Sequence, residues 1–177
     1  RELAEVNREL AHLRGCAQRR SAASPKPGAP CLYLKTDLWF STQVGGSVTH
    51  MAGVVNNLGD VTGVVPLVFA TVGNPIVDPC LTVRILLPAP AFWDFRELPA
   101  LLFSRSASAE VSAVVGAERP SFIYQRYSLN NYAGAKLALE LNVPLVTEYN
   151  GSEVWISQHW GKPVARLKLS EQVEQLN

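Results

Sequence analysis

The stretch "YQRYSLNNYAGAKLALELNVPLVTEYNGSEVW" (Tyr124–Trp155) reads as two short strands around one helix. "SFIYQ" before it and "PLVTEY" within it are apolar and β-branched, while "NNYAGAKLALEL" carries helical periodicity. Each strand runs out into a polar, aromatic phrase, "YQRYS" after the first and "EYNGSEVW" after the second. Arg126 offers a fork of donors for phosphate, carboxylate or sugar hydroxyls, and Tyr124 and Tyr127 can stack on a sugar face. The other reading is an arginine paired with a surface carboxylate, with half-buried tyrosines. Asn130 or Asn131 caps the helix. Asn150 and Gly151 make a turn, Ser152 caps the next helix and Glu153 suits its first turn. Glu148 has no such local explanation. A carboxylate ending an apolar strand costs free energy unless paired, and Arg126, at the neighbouring strand end, is the expected partner.

Working outward, strands and helices alternate from Cys31 onward. "CLYLKTD", "GVVPLVFAT" and "LTVRILLP" are strand candidates, with Pro66 in the second marking an edge or bulge. "SVTHMAGVVNNLG" reads as a helix capped by Ser47 and ended by Gly59. "FWDFRELPALLFSRSASAEVSAVVGAE" reads as mostly helical and broken near Pro99. "SEVWISQHWG" and "PVARLKLSEQVEQL" are further helices. Apolar strands alternating with helices predict an α/β fold: a Rossmann-like open, mostly parallel sheet with helices on both faces. Such sheets bind ligands outside the carboxyl ends of their strands, where the polar phrases fall.

The first residues differ in kind. Over 1–20, Leu3, Val6, Leu10, Leu13 and Ala17 form a stripe of about two heptads. It predicts an amphipathic helix, resting on its own domain or continuing a coiled coil that offers a partner surface. Residues 21–30, "SAASPKPGAP", read as a linker, and 31–177 as the α/β domain. The uncapped "VEQLN" end predicts an excerpt of a longer polypeptide.

Composition narrows the function classes. Hydrophobic residues make up 47% and charged residues 18%, enough apolar material for a substantial core. The net charge of +1 gives no footprint for nucleic acid. Three cysteines at wide spacing suit neither a disulfide framework nor a zinc site, and a reducing compartment is expected. No apolar run is long enough for a transmembrane segment, and no metal-binding motif, P-loop, dinucleotide fingerprint or nucleophile elbow occurs. Asp37 closes the first strand like a phosphoacceptor, but the acidic pair that would hold a metal before it is missing.

"QVGGSVTH" is the remaining motif. Gly45 and Gly46 before a helix let backbone amides approach an anion, with Ser47 at the helix start. A turn that needs glycine for its backbone angles explains them equally. His50, one turn in, is a candidate base or hydroxyl-binding group, or a structural histidine on a helix flank.

Taken together, "YLKTDLWFSTQVGGSVTHMAGVVNNL", "FIYQRYSLNNYAGAKLALELNVPLVTEYNGSEVW" and the following "HWG" resemble the N-terminal, acceptor-side domain of a GT-B glycosyltransferase of the retaining family 4-like kind. The resemblance covers roughly Leu32 to Gly161. It implies a two-domain enzyme in which this half meets a sugar or glycolipid acceptor. A C-terminal donor-binding domain would hold the nucleotide-sugar, which is a substrate and not a tightly bound cofactor. By position, Gly45, Gly46 and Ser47 would face the donor phosphates. His50 and Glu148 would be the catalytic candidates, and Arg126, Tyr127, Asn150, Gly151 and Glu153 would line the acceptor side. No metal is implied. The turn "NNLGDVTGVVP" lacks the basic residues usual there. The resemblance further implies work in polysaccharide or glycoconjugate synthesis, in the cytoplasm or peripheral to a membrane, and no transfer by residues 1–177 alone. The alternatives are the non-catalytic half of a split glycosyltransferase, docking through residues 1–20, and a simple sugar- or nucleotide-binding module.

Overall fold

The computed structural model describes residues 1–21, 23–38, 40, 45–116 and 119–177. Its helices are α1 (Glu2–Arg19), α2 (Gly46–Thr62), α3 (Leu98–Val115), α4 (Ala133–Leu141), α5 (Glu153–His159) and α6 (Leu167–Leu176). Its strands are β1 (Leu32–Lys35), β2 (Leu67–Ala70), β3 (Val83–Ile85), β4 (Ile123–Arg126) and β5 (Leu145–Glu148). The strands form one sheet in the order β3-β2-β1-β4-β5, parallel at every pairing. This is the expected Rossmann-like α/β architecture.

The burial pattern explains why the central strands read as continuous apolar runs. All four residues of β1 are buried, because both faces of the strand are covered. Leu32 and Leu34 face one side, packing with Phe69 and Ile123 against Phe103, Ala107 and Val111 of α3 and Leu137 of α4. Tyr33 and Val68 face the other, against Met51, Ala52 and Val55 of α2. Helices therefore cover both faces, and the carboxyl ends of the strands stay open for a site.

Several local expectations shift. Ser47 is not the cap of α2: the helix begins at Gly46 behind an N-cap Gly45, and Ser47 lies inside its first turn. Nor does Gly59 end it. The helix runs to Thr62 and stops at Gly63, whose φ of 72° supplies the left-handed turn. Pro66 does not interrupt β2. It immediately precedes the strand, so the ladder starts with Leu67 N–H donating to Cys31 O at 2.9 Å and loses nothing to the proline. Pro99 starts α3 instead of breaking it, since the first turn has no use for its missing N–H. Asn131, outside α4, accepts from Ala133 N–H at 3.1 Å, ahead of the formal N-cap Tyr132. Part of the loop before Gly45, namely Trp39 and residues 41–44, lies outside the described residues, so "QVGGSVTH" is described from Gly45 onward.

α1 rests on its own domain. Val6, Leu10 and Leu13 are buried with Leu101, Tyr132, Leu169 and Val173. Glu9 on the same helix accepts from Tyr132 Oη at 2.9 Å and pairs with Lys136 at 2.7 Å. The apolar face that a partner helix would need is thus already covered, which corrects the expectation of docking through residues 1–20. No helix among the described residues is long and apolar enough to cross a membrane.

Candidate functional site

In this strand order the chain runs outward from β1 to β2 and β3, then returns to add β4 and β5 on the opposite side. The switch point therefore lies between β1 and β4, where open parallel sheets form a crevice. A cavity of about 300 Å³ sits there, lined by Lys35 and Asp37 at the end of β1, Ser47 on α2, Arg126 to Ser128 at the end of β4, and Asn150 and Glu153 beyond β5.

Glu148 is the hub of the polar network behind it. Parallel pairing sets it directly opposite Arg126, and the guanidinium donates to its Oε1. Asn150 Nδ2 donates to the same oxygen at 3.0 Å, and His50 Nε2 approaches it at 3.2 Å from α2. Tyr124 Oη donates to Oε2 at a longer 3.4 Å. The Glu148 side chain is only 8% exposed, so it is a carboxylate made tolerable indoors by its donors. With Oε1 so crowded, Glu148 fixes Arg126, Asn150 and the exposed His50 in place and is poorly disposed to act as a base itself.

Lys35 forms a second ion pair at the cavity, Nζ to Asp37 Oδ2 at 3.0 Å, with side chains only 6% and 11% exposed. Sequence reasoning passed over it. The signal was there: a lysine in "CLYLKTD" raises the same question as a glutamate ending an apolar strand.

Glu153 differs from the other carboxylates. No ion pair reaches it among the described residues, and burial raises its pKa above the ordinary 4.5, with Glu174 adding repulsion and Arg126 opposing the shift. A carboxylate in this condition is a ready acceptor for a hydroxyl proton. It stands at the start of α5, where Ser152 Oγ accepts from Trp155 N–H at 3.0 Å as expected.

The two tyrosines of "YQRYS" differ in exposure. Tyr127 is 5% exposed and stacks on Tyr149 with centroids 5.9 Å apart. Tyr124 stacks on Tyr33 at 5.4 Å. The Tyr127 ring is spent inside the protein, which corrects its reading as a sugar platform, while Tyr124 is half-buried with one face on Tyr33. Burial, aided by Glu174 and Glu153, pushes the Tyr127 phenol far up, so it stays neutral. Gly151 shapes the turn before α5 and is not in the cavity lining.

Gly45 has φ 117°, a conformation that side chains resist, and a Cβ on Gly46 would meet nothing within 4 Å. Among the described residues nothing crowds the amino end of α2, whose Val48 and Thr49 N–H groups donate to Gly45 O at 3.1 Å. No group of three or more His, Cys, Asp or Glu side chains among the described residues could hold a metal ion. The three cysteines are free, and burial raises the Cys31 thiol to about 11.

Comparison with protein-family models, with curated proteins and with solved structures gives no match.

Proposed function

We propose that this chain is the acceptor-side domain of a glycosyltransferase, one that moves a sugar from a nucleotide-sugar to a glycan, lipid or other hydroxyl-bearing acceptor. The observation that carries the reading is convergence. Three separated motifs, "GGSVTH", "YQRYS" and "EYNGSEVW", deliver Ser47, Arg126, Asn150 and Glu153 to one switch-point cavity and tie His50 to Arg126 through Glu148.

Charge bookkeeping in the cavity favours a neutral, hydroxyl-rich acceptor. Lys35 and Arg126 each already meet a carboxylate, Asp37 and Glu148. An anionic ligand would have to compete with both. Glu153 accepts the hydrogen bond of the reacting hydroxyl, Asn150 and Ser47 position its neighbours, and Arg126 donates from a fixed angle. When a nucleotide-sugar is brought up, the amino end of α2 faces its phosphates. The donor-binding half is supplied from outside residues 1–177, by the same polypeptide or a partner chain, and these residues do not transfer sugar alone. The apolar stripe of α1 is covered within the chain, so residues 1–20 lend the split-enzyme reading little support. The setting is polysaccharide or glycoconjugate synthesis on the cytoplasmic side.

Isothermal titration of the chain with glycans and with nucleotide-sugars tests this reading. Glycans are expected to bind, and nucleotide-sugars to bind no tighter than about millimolar. Low-micromolar nucleotide-sugar binding by this chain, or no glycan binding, would overturn it.

A further inference from the structure

Beside the switch-point cleft lies a larger cavity of about 730 Å³, whose lining includes Leu38, Trp93, Phe95, Leu129, Asn130 and Lys162. We infer that this cavity is a second saccharide subsite, with Trp93 and Phe95 as its stacking wall and the Asn130 amide as its polar anchor, so that the acceptor is a chain of at least two sugar residues. The inference rests on the acceptor-domain reading and extends it.

Asn130 is the decisive residue. It is 2% exposed, it lines the cavity, and its side-chain Oδ1 has no hydrogen-bond partner among the described residues. Its neighbour Asn131 shows what a structural asparagine does here: its amide bonds Thr36 O at 2.9 Å, Thr36 Oγ1 at 2.6 Å and Ala133 N at 3.1 Å. Two adjacent asparagines thus differ: the Asn131 amide is bonded at both ends, and the Asn130 Oδ1 is not. A buried amide oxygen without a partner is costly unless a ligand brings a donor to it.

The rest of the cavity is built. Arg96 Nη1 donates to Pro163 O at 2.7 Å, and Glu97 accepts from the N–H groups of Ala165 and Arg166, so the wall formed by residues 161–164 is pinned. Trp93 and Phe95 remain 45% and 58% exposed beside it, and Phe40 meets the Trp93 ring edge-on at 6.0 Å.

This combination matches a pyranose. A flat aromatic face accepts the apolar C–H face of the ring, and an amide supplies both donor and acceptor to its hydroxyls. A purely apolar guest would leave Asn130 unbonded. A nucleotide would bring phosphates to a rim where Asp94 and Glu97 outweigh Lys162 and where Arg96 is already engaged. The two cavities also adjoin along the chain: Asp37 and Ser128 line the first, and Leu38 and Leu129 line the second. One sugar in each makes an oligosaccharide the fitting acceptor.

The test is a glycan array probed with the labelled chain, alongside Arg126→Ala, Trp93→Ala and Asn130→Gly, each checked for folding by thermal melt. Glycine tolerates the φ of 61° at position 130 while deleting the amide. Retained glycans should hold two or more sugar residues, and Trp93→Ala and Asn130→Gly should each weaken them about tenfold. Glycan binding that falls with Arg126→Ala but is untouched by Trp93→Ala and Asn130→Gly would overturn the subsite and leave the acceptor reading standing. No retained glycan would overturn both. Binding of UMP or AMP that depends on Trp93 would also overturn the subsite, making the cavity a base pocket.

Discussion

Arg126 and Glu148 are register partners across the β4–β5 ladder, and the guanidinium of one rests on the carboxylate of the other. Backbone pairing thus sets the geometry of the ion pair at the mouth of the sheet. Removing Arg126 leaves a carboxylate only 8% exposed with no permanently charged partner. Arg126→Ala should therefore cost about 3 kcal/mol in urea denaturation. Arg126→Met with Glu148→Gln should recover at least half of that loss. A single-variant loss under about 0.5 kcal/mol would mean that the pair is solvated like a surface bridge.

Glu153 makes a prediction with a definite sign. Its folded pKa lies above the ordinary value of 4.5, so the folded state holds the proton more tightly than the unfolded one. Its contribution to stability therefore falls as pH rises from the ordinary glutamate value through the raised one. Glu153→Gln, which cannot ionise, should gain on the parent protein as the pH rises from about 4 to about 8. A melting-temperature difference that is flat with pH, or runs the other way, would show Glu153 to be solvated or paired.

Gly134 sets helix propensity against packing. Alanine is favoured over glycine by about 1 kcal/mol in a helix interior and by less in the first turn, where Gly134 lies. At this position, however, a methyl would run into the side-chain amide of Gln125, itself fully buried and hydrogen-bonded to Asn177 Oδ1 at 2.7 Å. Gly134→Ala should therefore destabilise by about 1–3 kcal/mol. A gain in a denaturant melt would mean that Gln125 yields freely.

Leu10, with no exposure, packs against the cluster of Leu101, Tyr132, Leu169 and Val173. Leu10→Ala should cost about 3 kcal/mol and leave the sedimentation behaviour of the folded chain unchanged. A loss of self-association without loss of stability would instead make α1 an oligomerisation helix.

Much of the fold was legible because parallel central strands announce themselves as unbroken apolar runs, as in "CLYLK" and "LVFA". The Arg126–Glu148 pair was legible for a related reason: two charges ending neighbouring apolar strands have few other places to go. Helix ends were less so. Gly59 and Gly63 are both glycines near the end of one pattern, and only the tertiary path shows which takes the left-handed turn. Tyr127 fails as a sugar platform because sequence does not say which ring is buried against which. Lys35 was missed because its partner Asp37 lies just beyond the strand. Asn130 and Asn131 read alike as caps because a short polar side chain before a helix usually is one, and only the structure shows Asn131 in that place.

The most direct measurement is backbone NMR mapping of the chain with a retained glycan at saturation. The account predicts that the largest shift changes fall at residues 45–50, 126–128 and 148–153, around the switch-point cavity. Changes confined to the outer faces of α2 or α3, with those residues silent, would contradict it.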